Sequence, residues 1–254
     1  MRIPLSISIV RLTARFITIC CSFVIFIVFF DLSCEGKKSP ALHLTEYSIL
    51  LNSFENRVYQ VGVEGKSPLI AKFYRPGRWS EKSIGEEHAF ALELAQREIP
   101  VVAPTRMNHN TLHEHAGFRF AVYPRCAGRA PDLENPDTLQ WIGRFLGRIH
   151  AVGAITHFTT RGHIDLNTFG LEPKRWLLAH RFIPADLLAS WTSTVEQVLT
   201  GVERCFERAG NIRKIRLHGD CHAGNILWKE EGEERGPHFV DLDRKSTRLN
   251  SSHT

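Results

Sequence analysis

The spacing of apolar residues along the first part of the chain predicts a small unit of strands around one helix. Leu69–Tyr74 and Gly117–Pro124 are short β-type runs. Between them, Glu81–Glu98 has the periodicity of an amphipathic helix, with Ser80 before the segment and Pro100 after it. The face that we expect to be buried consists of Ile84, His88, Ala91 and Ala95.

Two longer helical patterns follow. The first begins at Asn135-Pro136, a favourable helix start, and its apolar stripe consists of Leu139, Ile142, Leu146 and Ile149. The second begins at Pro184 and ends near Gly210, and its stripe consists of Leu187, Trp191, Val195, Val198 and Val202. We interpret both stripes as core-facing positions. Strands followed by long helices predict an α+β fold class.

Near its end the chain predicts a β-hairpin. Ile226–Trp228 and His238–Val240 are apolar segments separated by the charged, glycine-containing stretch Lys229–Pro237. We interpret Ile215–Leu217 as a further short strand before them. Such a hairpin would return residue 241 to the neighbourhood of residue 225.

The residues around this hairpin have the order of a phosphotransferase site. The run Leu-His-Gly-Asp-Cys-His-Ala-Gly-Asn contains Asp220 and, five positions later, Asn225, and Asp241 follows the second apolar segment. A kinase needs an Asp that accepts the proton of the substrate hydroxyl, an Asn that binds Mg²⁺, and a further Asp that binds metal at the nucleotide phosphates. The alternative interpretation makes the first two residues ordinary turn formers and the third a strand cap.

A kinase site also predicts a lysine on an upstream strand. Lys72 lies in the run Leu69–Tyr74, and either Glu86 or Glu87 on the following helix is placed to pair with it. On its own, Lys72 would be interpreted as a surface lysine with an apolar stem. No Gly-x-Gly-x-x-Gly loop precedes it, and Leu51–Tyr59 stands in that place.

Four stretches together resemble one family: Leu51–Tyr59, Ala71–Trp79, Glu86–His88 and Leu217–Trp228. They are similar to bacterial stress-response Ser/Thr protein kinases with the aminoglycoside-phosphotransferase-like variant of the two-lobed protein-kinase fold. The resemblance covers about residues 49–243. It implies that an ATP- and Mg²⁺-dependent enzyme transfers the γ-phosphoryl group to Ser or Thr of a protein.

The resemblance also implies roles for single residues. Asp220 would be the proton acceptor, Asn225 and Asp241 would bind Mg²⁺, and Ser53 would lie at the ATP site. Lys72 follows from the wider kinase pattern. Glu87 is named with it as a site residue, but the choice between Glu86 and Glu87 as its partner stays open. Two other functions stay open, namely a kinase for a small alcohol of the aminoglycoside, choline or homoserine type, and a nucleotide-binding fragment without turnover.

The chain divides into four predicted segments. Residues 41–125 would form the nucleotide-binding lobe, and residues 126–243 would form part of the catalytic lobe. We expect this large lobe to be incomplete and the chain as written to be inactive. Residues 244–254 are interpreted as an adapter-derived tail, because Asp243–His253 can be back-translated into a sequence like a common sequencing-library adapter.

Residues 1–40 contain the uncharged stretch Phe16–Phe30 after three arginines. Its length suits a signal peptide or a short anchor better than a spanning helix of ~20 apolar residues, and an artefactual origin is equally compatible. We expect a cytoplasmic protein, because an exported enzyme would lack ATP. The alternative is a form anchored in the membrane through residues 16–30. The oligomeric state is not predicted.

Composition adds little to this picture. The formal charge is +5, and residues 1–40 and 244–254 contribute +3 each, which leaves −1 for residues 41–243. That part therefore lacks the basic character of a nucleic-acid-binding protein. The six cysteines show no Cys-x-x-Cys spacing, so neither a disulfide framework nor a zinc site is expected. His109, His113 and His115 are interpreted as members of a solvated turn.

Overall fold

The computed structural model describes residues 44–51 and 56–242. The predictions for residues 1–40, for Ser53 and for the tail lie outside these residues. The described chain forms two compact units. One takes in the residues up to Ile149 together with those from Leu217 onwards, and the other is His150–Arg216.

The first unit contains a five-stranded antiparallel sheet. Its strands are β1 (Leu44–Leu51), β2 (Arg57–Val63), β3 (Lys66–Phe73), β4 (His113–His115) and β5 (Phe118–Pro124), in the order β1-β2-β3-β5-β4. Alternate residues of β2 are buried, as expected for a strand with one packed face. Strands β3 and β5 each contain three consecutive buried residues. One core cluster consists of Tyr59, Val61, Ala71, Phe73, Phe120 and Val122. The strands predicted at Leu69–Tyr74 and Gly117–Pro124 are confirmed with slightly different ends.

Helix α1 (Glu81–Gln96) packs on this sheet. It begins where predicted, because the Ser80 hydroxyl caps it by accepting the backbone N–H of Ser83 at 3.1 Å. Three residues of the predicted buried face are buried, but Ala95 is exposed and Leu94 is buried instead. The helix ends two residues earlier than predicted.

The predicted hairpin near the end of the chain is confirmed. It consists of β6 (Ile226–Lys229) and β7 (Gly236–Phe239), and Ile226 pairs with Phe239. The segment Pro100–Thr105 bonds to both sheets. Phe239 N–H donates to Pro100 O at 2.8 Å, Val102 N–H donates to Phe239 O at 2.9 Å, and Thr105 N–H donates to Val122 O at 2.7 Å. The segment Pro100–Thr105 therefore connects the hairpin to the larger sheet through backbone hydrogen bonds.

Three α-helices follow the first sheet along the chain: α2 (Pro136–Gly153), α3 (Glu172–Ala179) and α4 (Leu188–Ala209). Helix α2 begins as predicted, since Asn135 Oδ1 accepts the N–H of Asp137 at 2.9 Å. Helix α4 begins at Leu188 instead of Pro184, because a turn closed by Leu187 N–H and Pro184 O comes first.

The two apolar stripes differ in burial. Ile142 and Ile149 of α2 are buried, but Leu139 is 49% exposed. No residue of α4 is buried, and its Val198 is 58% exposed. The interpretation of the α4 stripe as core is therefore wrong for the part of the chain that the structure describes. Periodicity establishes an apolar face, whereas burial requires a neighbour to cover it.

Two local predictions were wrong. Ile215–Leu217 belongs to no strand, because Arg216 N–H donates to Gly153 O of α2 at 3.0 Å instead of to a strand. His113 and His115 lie in β4 and not in a turn. The turn is the next pair, Ala116-Gly117, with φ of +48° and +79°, as a two-residue hairpin requires. Across residues 44–51 and 56–242, no helix combines the length and the apolarity that crossing a membrane requires.

Candidate active site

Lys72 lies at the centre of the candidate site. It is buried on β3, and its Nζ lies 2.8 Å from Asp241 Oδ1 and 3.5 Å from Glu87 Oε1. Of the two glutamates left open by the sequence, Glu87 is therefore the partner. Burial by itself lowers the pKa of a lysine, but the carboxylates of Glu87 and Asp241 outweigh it and hold the pKa of Lys72 above its usual range. The side chain is an ammonium ion between two carboxylates.

The local structure explains how the two carboxylates reach Lys72. Glu87 shares the buried face of α1 with Ile84 and Ala91, three and four positions away along the helix. Asp241 follows the end of β7, and its φ of +56° lies in the left-handed region, which an Asp enters more readily than most residues. Val240 N–H donates to Asn225 O at 3.0 Å, so the predicted return of residue 241 to residue 225 is confirmed.

Asp220 and Asn225 form a second pair. The Asn225 amide donates two hydrogen bonds to Asp220. Its Nδ2 lies 2.9 Å from the backbone oxygen of Asp220 and 3.0 Å from Asp220 Oδ2. These bonds orient the carboxylate and turn Asn225 Oδ1 away from it. The short 3₁₀ turn Ala223–Asn225 supports the pair, and His222 caps the turn by accepting Gly224 N–H on Nδ1 at 3.0 Å.

His218 forms hydrogen bonds on both sides of its ring that hold the loop carrying Asp220. Its Nε2–H donates to Val240 O at 3.0 Å, and its Nδ1 accepts the N–H of Asp220 at 3.4 Å. Burial lowers the pKa of His218, although nearby Asp241 acts in the opposite direction. The ring is therefore neutral with its proton on Nε2, and it connects the loop that carries Asp220 to the residue before Asp241.

A buried hydrogen-bonded cluster that the sequence did not predict lies next to Lys72. Tyr74 Oη lies 2.8 Å from His88 Nε2 and 3.2 Å from Tyr123 Oη, and His88 Nδ1 lies 2.9 Å from Thr111 Oγ1. Lys72 Nζ lies 5.1 Å from the centre of the Tyr74 ring. Burial raises the pKa of both tyrosines, so their hydroxyls keep their protons. The available signal was His88, the one polar residue of the helix face that the sequence predicted to be buried.

These groups surround a cavity of about 640 Å³, within the range of small-molecule sites. Its apolar lining comes from both sheets and from the ends of their strands: Leu51, Val58, Ile70, Leu227, Val240 and Leu242. Lys72, Glu87, Asn225 and Asp241 also line it. Asp220 is not part of the lining but is bonded to Asn225, which is. The structure thus brings together five of the six predicted residues, and Ser53 is outside the described ones.

The donor set fits a hard divalent cation. Asn225 and Asp241 both line the cavity, and their side-chain oxygens would be the ligands. Mg²⁺ typically takes one or two protein carboxylates together with water and substrate phosphates. Among residues 44–51 and 56–242, no group of three or more His, Cys, Asp and Glu side chains is gathered for a metal. Cys126, Cys205 and Cys221 are free thiols.

An antiparallel sheet with a buried Lys–Glu pair and a loop-borne Asp–Asn pair define a protein-kinase-like fold of the aminoglycoside-phosphotransferase type. The sequence pattern of the family described as "Phosphotransferase enzyme family" (APH) matches residues 46–245. The chain belongs to this family.

Several curated relatives share the larger part of the chain. Stress response kinase A of Escherichia coli (strain K12) and Serine/threonine protein kinase RdoA of Salmonella typhimurium (strain LT2) are both 43% identical to it over 193 residues. The matched region is 76% of this chain and 57% of each relative. The match therefore spans little more than half the length of these relatives.

Solved structures show the same fold at low sequence identity. An aminopropanol kinase associated with a microcompartment has a TM-score of 0.60 at 19% identity, and the match covers 87% of this chain and 69% of that one. The amicoumacin kinase hAmiN, solved with AMP-PNP, Ca²⁺ and Ami, has a TM-score of 0.58 at 20% identity, with coverage of 89% and 65%. At sequence identities this low, the comparison supports only a shared fold.

Proposed function

We propose that the chain carries the catalytic site of an ATP- and Mg²⁺-dependent phosphotransferase. The observation that carries the proposal is the position of Lys72 between Glu87 and Asp241 in a cavity that also contains Asn225. A cation held by two carboxylates beside a second set of oxygen ligands matches the requirements for binding nucleotide phosphates.

In this proposal the cavity takes ATP. Its apolar lining would receive the adenine base. The Lys72 ammonium would pair with phosphate oxygens, and Glu87 would hold the Lys72 side chain in place. Ser53, predicted at the ATP site, follows β1. Asn225 and Asp241 would hold Mg²⁺. When bound, the metal would neutralise charge on the phosphate oxygens.

Asp220 is the proposed proton acceptor. The acceptor hydroxyl forms a bond to the γ-phosphorus as the bond from that phosphorus to the bridging oxygen breaks, ADP leaves, and the hydroxyl proton passes to the Asp220 carboxylate. No bond forms between protein and phosphate. What the protein contributes is position and electrostatic stabilisation, which account for most of the catalysis in phosphoryl transfer.

For the acceptor we propose Ser or Thr of a protein in a stress response. Support comes from the relatives at 43% identity, one of which is named a Ser/Thr protein kinase. The alternative is a small alcohol, and the names of the structural neighbours, an aminopropanol kinase and an amicoumacin kinase, are why it must be tested. We further propose residues 41–125 and 126–243 as the two lobes, and the cytoplasm, where ATP is available, as the location.

The role of Asp220 is tested with Asp220→Asn, which keeps the shape of the side chain and removes the base. Because general-base catalysis contributes about 10²–10⁴-fold, we expect kcat to fall by that factor while Mg·ATP binding measured by calorimetry stays unchanged. Asp186→Asn, an exposed acid in the turn before α4, is the matched control. Equal turnover by the Asp220→Asn variant and the wild type would reject the proposal.

The acceptor class is tested separately with γ-labelled ATP. We expect label on Ser or Thr of the protein itself or of a protein acceptor, and none on aminoglycosides, choline or aminopropanol. The Asp220→Asn variant serves as the blank in both arms. Transfer to a small alcohol without transfer to protein would replace the proposed acceptor and leave the phosphotransferase assignment intact.

A further inference from the structure

We propose that His222 is a positioning residue for Asp220, an inference that rests on the proposed function. Two donors approach the same carboxylate oxygen. Asn225 Nδ2 donates to Asp220 Oδ2 at 3.0 Å, and His222 Nε2 lies 3.6 Å from that oxygen. The terminal torsion of a carboxylate is broad, so each donor that approaches from a new direction restricts its rotation further. A second donor, here His222, would fix the orientation of the carboxylate plane of Asp220.

The hydrogen bond on the other ring nitrogen determines which atom of His222 faces the carboxylate. Nδ1 accepts the backbone N–H of Gly224 at 3.0 Å, so in the neutral ring the proton is on Nε2. The Nε2–H group is therefore the one next to Asp220. A separation of 3.6 Å is longer than a hydrogen bond, and such contacts in ligand-free sites commonly tighten when the reacting groups are bound.

Gly224 supports this placement independently. A Cβ atom at position 224 would lie 2.8 Å from Cε1 and 3.1 Å from Nδ1 of the His222 ring. Its φ is not in the left-handed region, so the need for glycine comes from the ring and not from the backbone. An alanine at position 224 would therefore displace the imidazole from the position that it occupies. His222 also lines the cavity, although its side chain is 54% exposed.

The two contacts of His222 can be separated by two substitutions. His222→Asn keeps an acceptor near the position of Nδ1, and so keeps the cap on Gly224, but loses the donor toward Asp220. His222→Gln keeps an N–H near the position of Nε2 and loses the cap. If positioning matters, His222→Asn lowers kcat by about 10- to 100-fold, the size expected for a misplaced catalytic group, with the KM for ATP and the melting temperature unchanged. His222→Gln keeps most of kcat and melts at a lower temperature.

A double substitution separates this inference from the proposed function. In an Asp220→Asn background, His222→Asn should cause no further loss of the residual turnover, because residues that act as a unit are not additive. Gly224→Ala, which pushes the ring away, should lower kcat in the wild type and have no effect in a His222→Asn background. Full activity of His222→Asn, or equal loss in His222→Asn and His222→Gln, would overturn the positioning role. Full activity of Asp220→Asn would instead overturn the proposed function.

Discussion

Lys72 Nζ lies 2.8 Å from Asp241 Oδ1, although 169 positions separate the two residues in the chain. The Lys72 side chain is only 7% exposed and the Asp241 side chain 25% exposed. A buried charge requires a partner, because removing one partner leaves the other uncompensated in a medium of low dielectric constant. This ion pair therefore connects β3 of the larger sheet to Asp241, the second residue after the β6–β7 hairpin.

Asp241→Asn removes the charge of the proposed metal ligand and retains its shape. We expect Mg·ATP affinity to fall by about tenfold or more, which corresponds to ~1.4 kcal/mol, and turnover to fall as well. Calorimetric titration with ATP, with and without Mg²⁺, measures the effect. The variant should lose the increase in ATP affinity that Mg²⁺ gives the wild type, while its ATP affinity without Mg²⁺ should change less. Unchanged Mg·ATP affinity would exclude Asp241 as a ligand.

Glu87→Gln and Glu86→Gln form a matched pair on adjacent positions of α1. Glu87 is buried against Lys72, whereas Glu86 is half-buried and lies in a different groove on α1. We expect Glu87→Gln to weaken ATP binding and to lower the free energy of unfolding by about 1–3 kcal/mol, the cost of a buried polar group that loses its partner. Glu86→Gln should leave ATP binding near the wild-type value. Urea denaturation and calorimetry on both variants provide the comparison, and similar effects of the two would contradict the assignment.

Alanine substitution at two glycines of α2 should change the free energy of unfolding in opposite directions. A Cβ at Gly153 would lie 2.1 Å from the backbone oxygen of Arg216, which cannot move cheaply, whereas a Cβ at Gly147 meets open space. Gly153→Ala should therefore lower the unfolding free energy by about 1–3 kcal/mol, as overpacking does. Gly147→Ala should raise it by about 0.5–1 kcal/mol through helix propensity. Denaturant unfolding measures both, and a stable Gly153→Ala variant would show that this contact relaxes.

The stability of the protein should depend on pH through His218. Burial lowers the pKa of this residue below the usual histidine value of 6.5. Below about pH 6.5, the unfolded state therefore binds a proton that the folded state resists, and the unfolding free energy falls as the pH decreases toward the lower folded-state pKa. Denaturation of the wild type and of His218→Gln should differ most above pH 6.5, and the difference should shrink at lower pH. Parallel pH profiles would contradict this expectation.

Much of the local structure was predictable from the sequence because it depends on nearby residues. Ser80 caps α1, Asn135 begins α2, and the apolar runs of the β6–β7 hairpin are separated by turn-forming residues. Two predictions failed because the composition of a short segment does not identify the backbone groups with which it bonds. Ile215–Leu217 has the composition of a strand, but its backbone bonds to Gly153 of α2. His113 and His115 have the composition of a turn, but they pair with β5.

The sequence by itself predicted which residues form the candidate site, because Asp220, Asn225 and Asp241 stand in the order and spacing that a phosphotransferase requires. Only the tertiary structure decided between Glu86 and Glu87, since adjacent helix positions point about 100° apart and packing selects one of them. It also revealed the cluster of Tyr74, His88 and Tyr123 next to Lys72. Such a cluster depends on distances between elements that are far apart in the chain, and those distances are set when the sheet and α1 pack together.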